Sequence, residues 1–170
     1  LAPKGLVEQV QASWQGSITQ PTRFGGKGRI AGLEIASRRT DTAAWPGLRG
    51  VDVDFDVTQS GGKMAITMQD GAVDLPGLFE EPVLNFDRLT TDLQWKNDAG
   101  QISLALPNLR FSNADAQGEA QVKWQTAPGP AGAAQTSERR FPGLLDVQGS
   151  LGRADGTKVH RYMPVGLHKE

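Results

Sequence analysis

Gly50-Val51-Asp52-Val53-Asp54-Phe55-Asp56-Val57-Thr58-Gln59-Ser60-Gly61-Gly62-Lys63-Met64-Ala65-Ile66-Thr67-Met68 decides the fold. Apolar residues stand at 51, 53, 55 and 57, with carboxylates at 52, 54 and 56 between them. After a Gly-rich turn, Met64, Ile66 and Met68 repeat the alternation, with Lys63, Ala65 and Thr67 between. Strand side chains point to opposite faces in turn, so each run builds one apolar and one more polar face. Two such runs across a short turn read as a β-hairpin. A lone hairpin cannot bury its apolar face, so function becomes a question of what that face covers.

The same device recurs on both sides. Val10, Ala12, Trp14, Gly16 and Ile18 alternate with polar residues and read as a strand. Before it, Leu6, Val7 and Val10 stand at helical spacing after Pro3, which predicts a short N-terminal helix. Ile30, Leu33 and Ile35 change phase at Gly32, which predicts a bulge. Arg38 to Gly47 reads as a polar loop, and Gly71 to Leu75 as a short strand stopped by Pro76-Gly77. Val83 to Trp95 reads as one long strand or two pieces: Leu84 and Phe86 share one phase, Leu89, Thr91, Leu93 and Trp95 the other. Asn97-Asp98-Ala99-Gly100 is a hairpin turn. Ile102, Leu104 and Leu106 form the return strand, ended by Pro107-Asn108, and Leu109 and Phe111 begin another. Ala120, Val122 and Trp124 continue the pattern, as do Leu145, Val147 and Leu151. Residues 126–140 lack periodicity and read as a flexible loop. Asp155-Gly156-Thr157 is placed to cap a terminal helix from Lys158 to Met163. The sum is roughly nine to eleven strands with frequent turns, an antiparallel all-β domain.

At 170 residues and net charge -1, one domain spanning 1–170 is expected, with no basic surface for nucleic acid. The absence of cysteine excludes disulfides and Cys-ligated zinc or iron–sulfur sites. No apolar run approaches the length of a membrane-spanning helix. The chain begins at Leu1 without a signal peptide and reads as a piece of a longer protein, with any targeting signal outside it.

No constellation argues for catalysis or a cofactor. Gly26-Lys27-Gly28-Arg29-Ile30-Ala31 matches a dinucleotide fingerprint, but that motif needs a strand before it and a helix after it. Asp52, Asp54 and Asp56 resemble the start of a calcium loop, yet Val57 and Lys63 occupy the positions that need Gly and Glu. They read instead as the outer face of a strand. His160 and His168 lie outside any metal or hydrolase pattern. Asp74, Glu80 and Glu81 are too ordinary in a chain with 19 acids to mark a glycosidase pair. Trp14, Trp95 and Trp124 keep strand phase, which suits core packing, sugar stacking or a lipid-groove wall. Trp45 is placed to plug the sheet end.

The motifs also have a characteristic order. Pro3-Lys4-Gly5 and Trp14-Gln15-Gly16 are followed by Trp45-Pro46-Gly47-Leu48-Arg49-Gly50 and Ser60-Gly61-Gly62. Leu75-Pro76-Gly77-Leu78-Phe79-Glu80-Glu81-Pro82, Leu93-Gln94-Trp95 and Phe111-Ser112-Asn113-Ala114-Asp115 come next, then Leu144-Leu145-Asp146-Val147 and Arg161-Tyr162-Met163-Pro164. In this order they resemble an internal segment of the YhdP family of AsmA-like proteins of Gram-negative bacteria. The resemblance implies a non-catalytic segment of a periplasmic protein anchored in the inner membrane by parts outside the chain. It implies a long, strongly curved sheet, an open β-groove or half-barrel, and phospholipid transport between inner and outer membranes, hence a role in outer-membrane permeability. Neighbouring segments of the same chain would extend the groove.

The apolar face suits such a guest. At about 0.8 kcal/mol per buried CH₂, an acyl chain of roughly 16 carbons gains on the order of 12 kcal/mol. The groove-lining candidates are Val51, Val53, Phe55, Val57, Met64, Ile66, Met68, Leu93, Trp95, Ile102, Leu104 and Leu106. Alternation alone does not separate this from a closed β-sandwich binding module, in which the same residues form a sealed core, or from a structural spacer.

Overall fold

The structure is a computed structural model that describes residues 3–17, 19, 21–39, 44–126, 143–162 and 165. Ten strands follow one another: β1 (Lys4–Gly16), β2 (Pro21–Ile35), β3 (Arg38–Arg39), β4 (Ala44–Trp45), β5 (Gly47–Thr58), β6 (Gly61–Asp74), β7 (Val83–Asp98), β8 (Gln101–Ser112), β9 (Ala116–Gln125) and β10 (Leu144–Ala154). Eight of them form one antiparallel meander in the order β1-β2-β5-β6-β7-β8-β9-β10, and β3 pairs with β4 in a small separate ribbon. The founding hairpin is β5–β6, with Gln59 and Ser60 at the turn and Gly61 and Gly62 already paired in β6.

The sheet is open. β1 and β10 are exposed along their whole length and do not pair with each other. Among the described residues no second sheet is stacked on it, because β3–β4 offers only two residues per strand. The closed sandwich is therefore not the architecture.

Several expectations fail for one reason, the β-bulge. The N-terminal helix is absent, and β1 occupies those residues. Gln9, at φ 50, and Val10 together oppose Gly28, between the pairs Glu8↔Arg29 and Gln11↔Lys27. The extra residue puts Val7 and Val10 on one face, which imitates helical spacing. Val10 settles over Gly28, where an added Cβ would lie 2.9 Å from Val10 Cγ2 and 3.2 Å from Phe55 Cζ. At Pro107-Asn108 the predicted strand end is a second bulge, so β8 runs unbroken through it. Leu106 and Leu109 pair with Val122 and Ala120, and therefore share a face. Proline is tolerated there because a bulge residue leaves the ladder. The Asn108 side chain repairs the gap, accepting from Asp92 N at 2.8 Å and donating to Asp92 Oδ2 at 2.7 Å. The bulge expected at Gly32 is present: Ala31 and Gly32 oppose Asp52, and Gly32 has φ 62.

Gly71 to Asp74 continues β6 rather than forming a strand of its own. The two phases of β7 both reach the core, since Leu84, Phe86 and Leu89 join one buried cluster with Val51, Val53 and Met68. The polar loop from Arg38 contains β3 and β4, with 40–43 outside the described residues. Of the expected loop 126–140, only Thr126 is described; it is buried and exchanges hydrogen bonds with Ile102. The terminal helix is a single 3₁₀ turn, Val159–Tyr162, with Met163 and Pro164 outside the described residues. Asp155 leads into it, accepting from Thr157 N at 2.9 Å and Thr157 Oγ1 at 2.7 Å, which holds its carboxyl below the usual range.

Candidate functional site

Strand register joins the apolar alternation of single strands into rows across the sheet. One row crosses all eight strands: Ala12↔Gly26↔Val57↔Gly62↔Trp95↔Leu104↔Trp124↔Leu145. It contains no charge, and at about 4.8 Å per strand it extends about 34 Å. The next row runs Gly28↔Phe55↔Met64↔Leu93, and the one after it Val7↔Ile30↔Val53↔Ile66↔Thr91. Thr91 is the polar member, and its hydroxyl donates to Asp92 O at 3.1 Å.

The twelve candidates all lie on this face, at two depths. Val51, Val53 and Met68 are buried in the core cluster. Phe55, Val57, Met64, Ile66, Leu93, Trp95, Ile102, Leu104 and Leu106 are only half-buried. On the half-buried part, the Trp95 indole N–H is buried and without a hydrogen-bond partner among the described residues. Trp14 pairs with Phe24 at the exposed margin of the same face, and Trp45 is half-exposed rather than a plug.

The opposite face is polar. Lys27↔Asp56↔Lys63↔Gln94 forms one of its rows. Arg29 donates to Asp52 and Asp54, each at 3.0 Å, and Asp52 Oδ1 accepts Gly32 N at the bulge at 2.9 Å. The supposed calcium triplet is thus a set of strand-face anions, two of them paired with arginine. The fingerprint Gly26–Ala31 lies within β2. Open depressions also lie on this face; one of about 630 Å³ is flanked by Arg88, Arg110 and Glu119, a lining that suits water better than an acyl chain.

What divides the apolar face into covered and uncovered parts is a structure that sequence reasoning did not anticipate. The 75–82 loop and the 3₁₀ turn meet over the end of β5–β8, where Phe79 and Tyr162 pack on the core cluster. Phe86 and Phe111 make an edge-to-face contact beneath, with centroids 5.8 Å apart. Arg161 ties the cover together, donating from Nε and Nη2 to Glu81 Oε2 at 2.9 and 2.6 Å and from Nη1 to Asp115 Oδ2 at 2.7 Å. Glu81 thereby holds Arg161 more firmly protonated. Asn113 Nδ2 donates to the Tyr162 hydroxyl at 2.8 Å, and that hydroxyl donates to Asp115 Oδ2 at 3.3 Å. Burial pushes the Tyr162 phenol up. Glu81, Asn113, Asp115, Arg161 and Tyr162 all fall within motifs that carry the family resemblance. The signal was therefore in the sequence, but without a hint that three distant motifs meet.

Among the described residues no group of His, Asp and Glu is arranged to hold a metal ion, and no helix is long and apolar enough to cross a membrane. No curated protein and no solved structure matches the chain. A family model described as YhdP protein matches residues 1–170. With that match over its whole length, the chain belongs to the YhdP protein family.

Proposed function

We propose that this chain is a non-catalytic segment of a lipid-conducting protein, and that its half-buried apolar face carries the acyl chains of phospholipid between the inner and outer membranes. The observation that carries this reading is the uncharged row from Ala12 to Leu145, which crosses every strand of an open sheet. Family membership supports it. A sealed core would need a second layer; an open apolar face in water is stabilised by a guest. Phe55, Val57, Met64, Ile66, Leu93, Trp95, Ile102, Leu104 and Leu106 line the path. Lipid tails lie across the strands, and polar headgroups remain in water. The segment lies in the periplasm, in a protein anchored to the inner membrane elsewhere, and flanking segments lengthen the path.

Native mass spectrometry of the protein purified from a bacterial periplasm, with lipid extraction of the same sample, tests the reading. Phospholipid bound in stoichiometric amount, and lost in a folded Leu104→Asp variant, is the expected result. A lipid-free wild type that also takes up none from phospholipid vesicles contradicts it and leaves a spacer.

A further inference from the structure

We propose that the cover formed by Phe79 and Tyr162 is exchangeable, that the floor beneath it is a second acyl-chain site continuous with the open face, and that Arg161 is the latch holding it shut. The inference rests on the lipid-binding reading above.

The floor and the open face are one surface. The row Val51↔Met68↔Leu89↔Phe111 lies under the cover. Beside it run Val53↔Ile66↔Thr91 and then Phe55↔Met64↔Leu93, without a charged residue between. Among the described residues the sheet builds no wall at the boundary, and the cover is what ends the exposed region.

The cover is held in a way that suits release. Its apolar contacts to the cluster come from Phe79 and Tyr162, both only half-buried. The 3₁₀ turn has four residues and no intrinsic stability. Glu81 remains 53% exposed at its side chain, so water readily replaces its bond to Arg161, while the bond to Asp115 is the more sheltered one. Opening takes from Asp115, 17% exposed at its side chain, its bonds from Arg161 and the Tyr162 hydroxyl, and this is the hold that makes Arg161 a latch. Asn113 keeps its bonds from Asp115 N and Ala116 N and to Asn85 O, while the Tyr162 hydroxyl passes to water. An acyl chain entering from the Met64 side would replace the two aromatic rings on the floor.

The chain has no cysteine, so a single engineered pair can lock the cover. Val165 N donates to Leu78 O at 3.0 Å, which brings the two backbones within disulfide range. The experiment compares Leu78→Cys/Val165→Cys, oxidised and reduced, for uptake of a pyrene-labelled phosphatidylcholine from vesicles. The reduced form is expected to take up about threefold more probe at subsaturating concentration, and Arg161→Ala to exceed wild type by at least about fivefold, since it removes both the exposed pair with Glu81 and the more sheltered pair with Asp115. Equal uptake by the oxidised and reduced forms overturns the exchangeable cover while leaving lipid binding intact. This comparison stands even if Arg161→Ala does not fold. Uptake by neither form overturns the lipid-binding reading itself.

Discussion

Met64 and Met68 lie on the same strand and the same face, yet Met68 is 1% exposed and Met64 is half-buried. Met68 sits in the cluster beneath Phe79 and Tyr162; Met64 lies two rows away, between Phe55 and Leu93. The same truncation at the two sites should therefore differ in cost. Met68→Ala is expected to destabilise by about 2–4 kcal/mol through the cavity it leaves. Met64→Ala should cost about 1 kcal/mol, because less of its area leaves water on folding. Urea unfolding of the two variants measures this, and equal losses would mean that the open part is as sealed as the core.

Tyr162 is the chain's one tyrosine, so tyrosinate absorbance reports it alone. Burial raises its pKa in the folded protein. A raised pKa means the folded form keeps a proton that the unfolded form releases, so the contribution to stability is full below pH about 10 and lost as pH rises through the folded value. Titration should give a higher midpoint for native protein than for protein in urea. Phe79→Ala, by loosening the cover that Phe79 and Tyr162 form on the cluster, should narrow that difference.

Ala99 occupies a left-handed conformation, φ 47, beside Gly100 at φ 88 in the β7–β8 turn. Two-residue hairpin turns of this kind favour Asn-Gly. Ala99→Asn is expected to stabilise by about 0.5–1 kcal/mol, since asparagine adopts this conformation with less strain. The melting temperature should rise without a change in lipid uptake.

Asp52 serves the Gly32 bulge from the polar face. Asp52→Ala removes the acceptor for Gly32 N and one partner of Arg29, and should cost about 1–2 kcal/mol. Asp52→Asn keeps an acceptor for Gly32 N and should recover about half of that loss. Faster amide exchange at Gly32 in the alanine variant alone would locate the effect at the bulge.

Alternation made the strands legible, because a strand with one buried face writes period two directly into the chain. The turn at Asn97 to Gly100 and the bulge at Gly32 were legible for the same local reason. The other bulges were not. An inserted residue at Gln9-Val10 reproduces helical spacing, and Pro107 looks like an end until Asn108 is seen bonding to Asp92. The lining of the apolar face was readable as a set, but not its division into buried and open parts. That division depends on Glu81, Asp115 and Arg161 meeting across up to 80 positions of sequence, a contact with no local pattern.

The alternation of faces permits the most direct test of the lipid path. A photoactivatable amino acid at Val57 or Leu104, on the uncharged row, should crosslink to phospholipid in cells. The same residue at Asp56 or Ala105, one position away and on the polar face, should not. Crosslinks at both pairs, or at neither, would contradict the account.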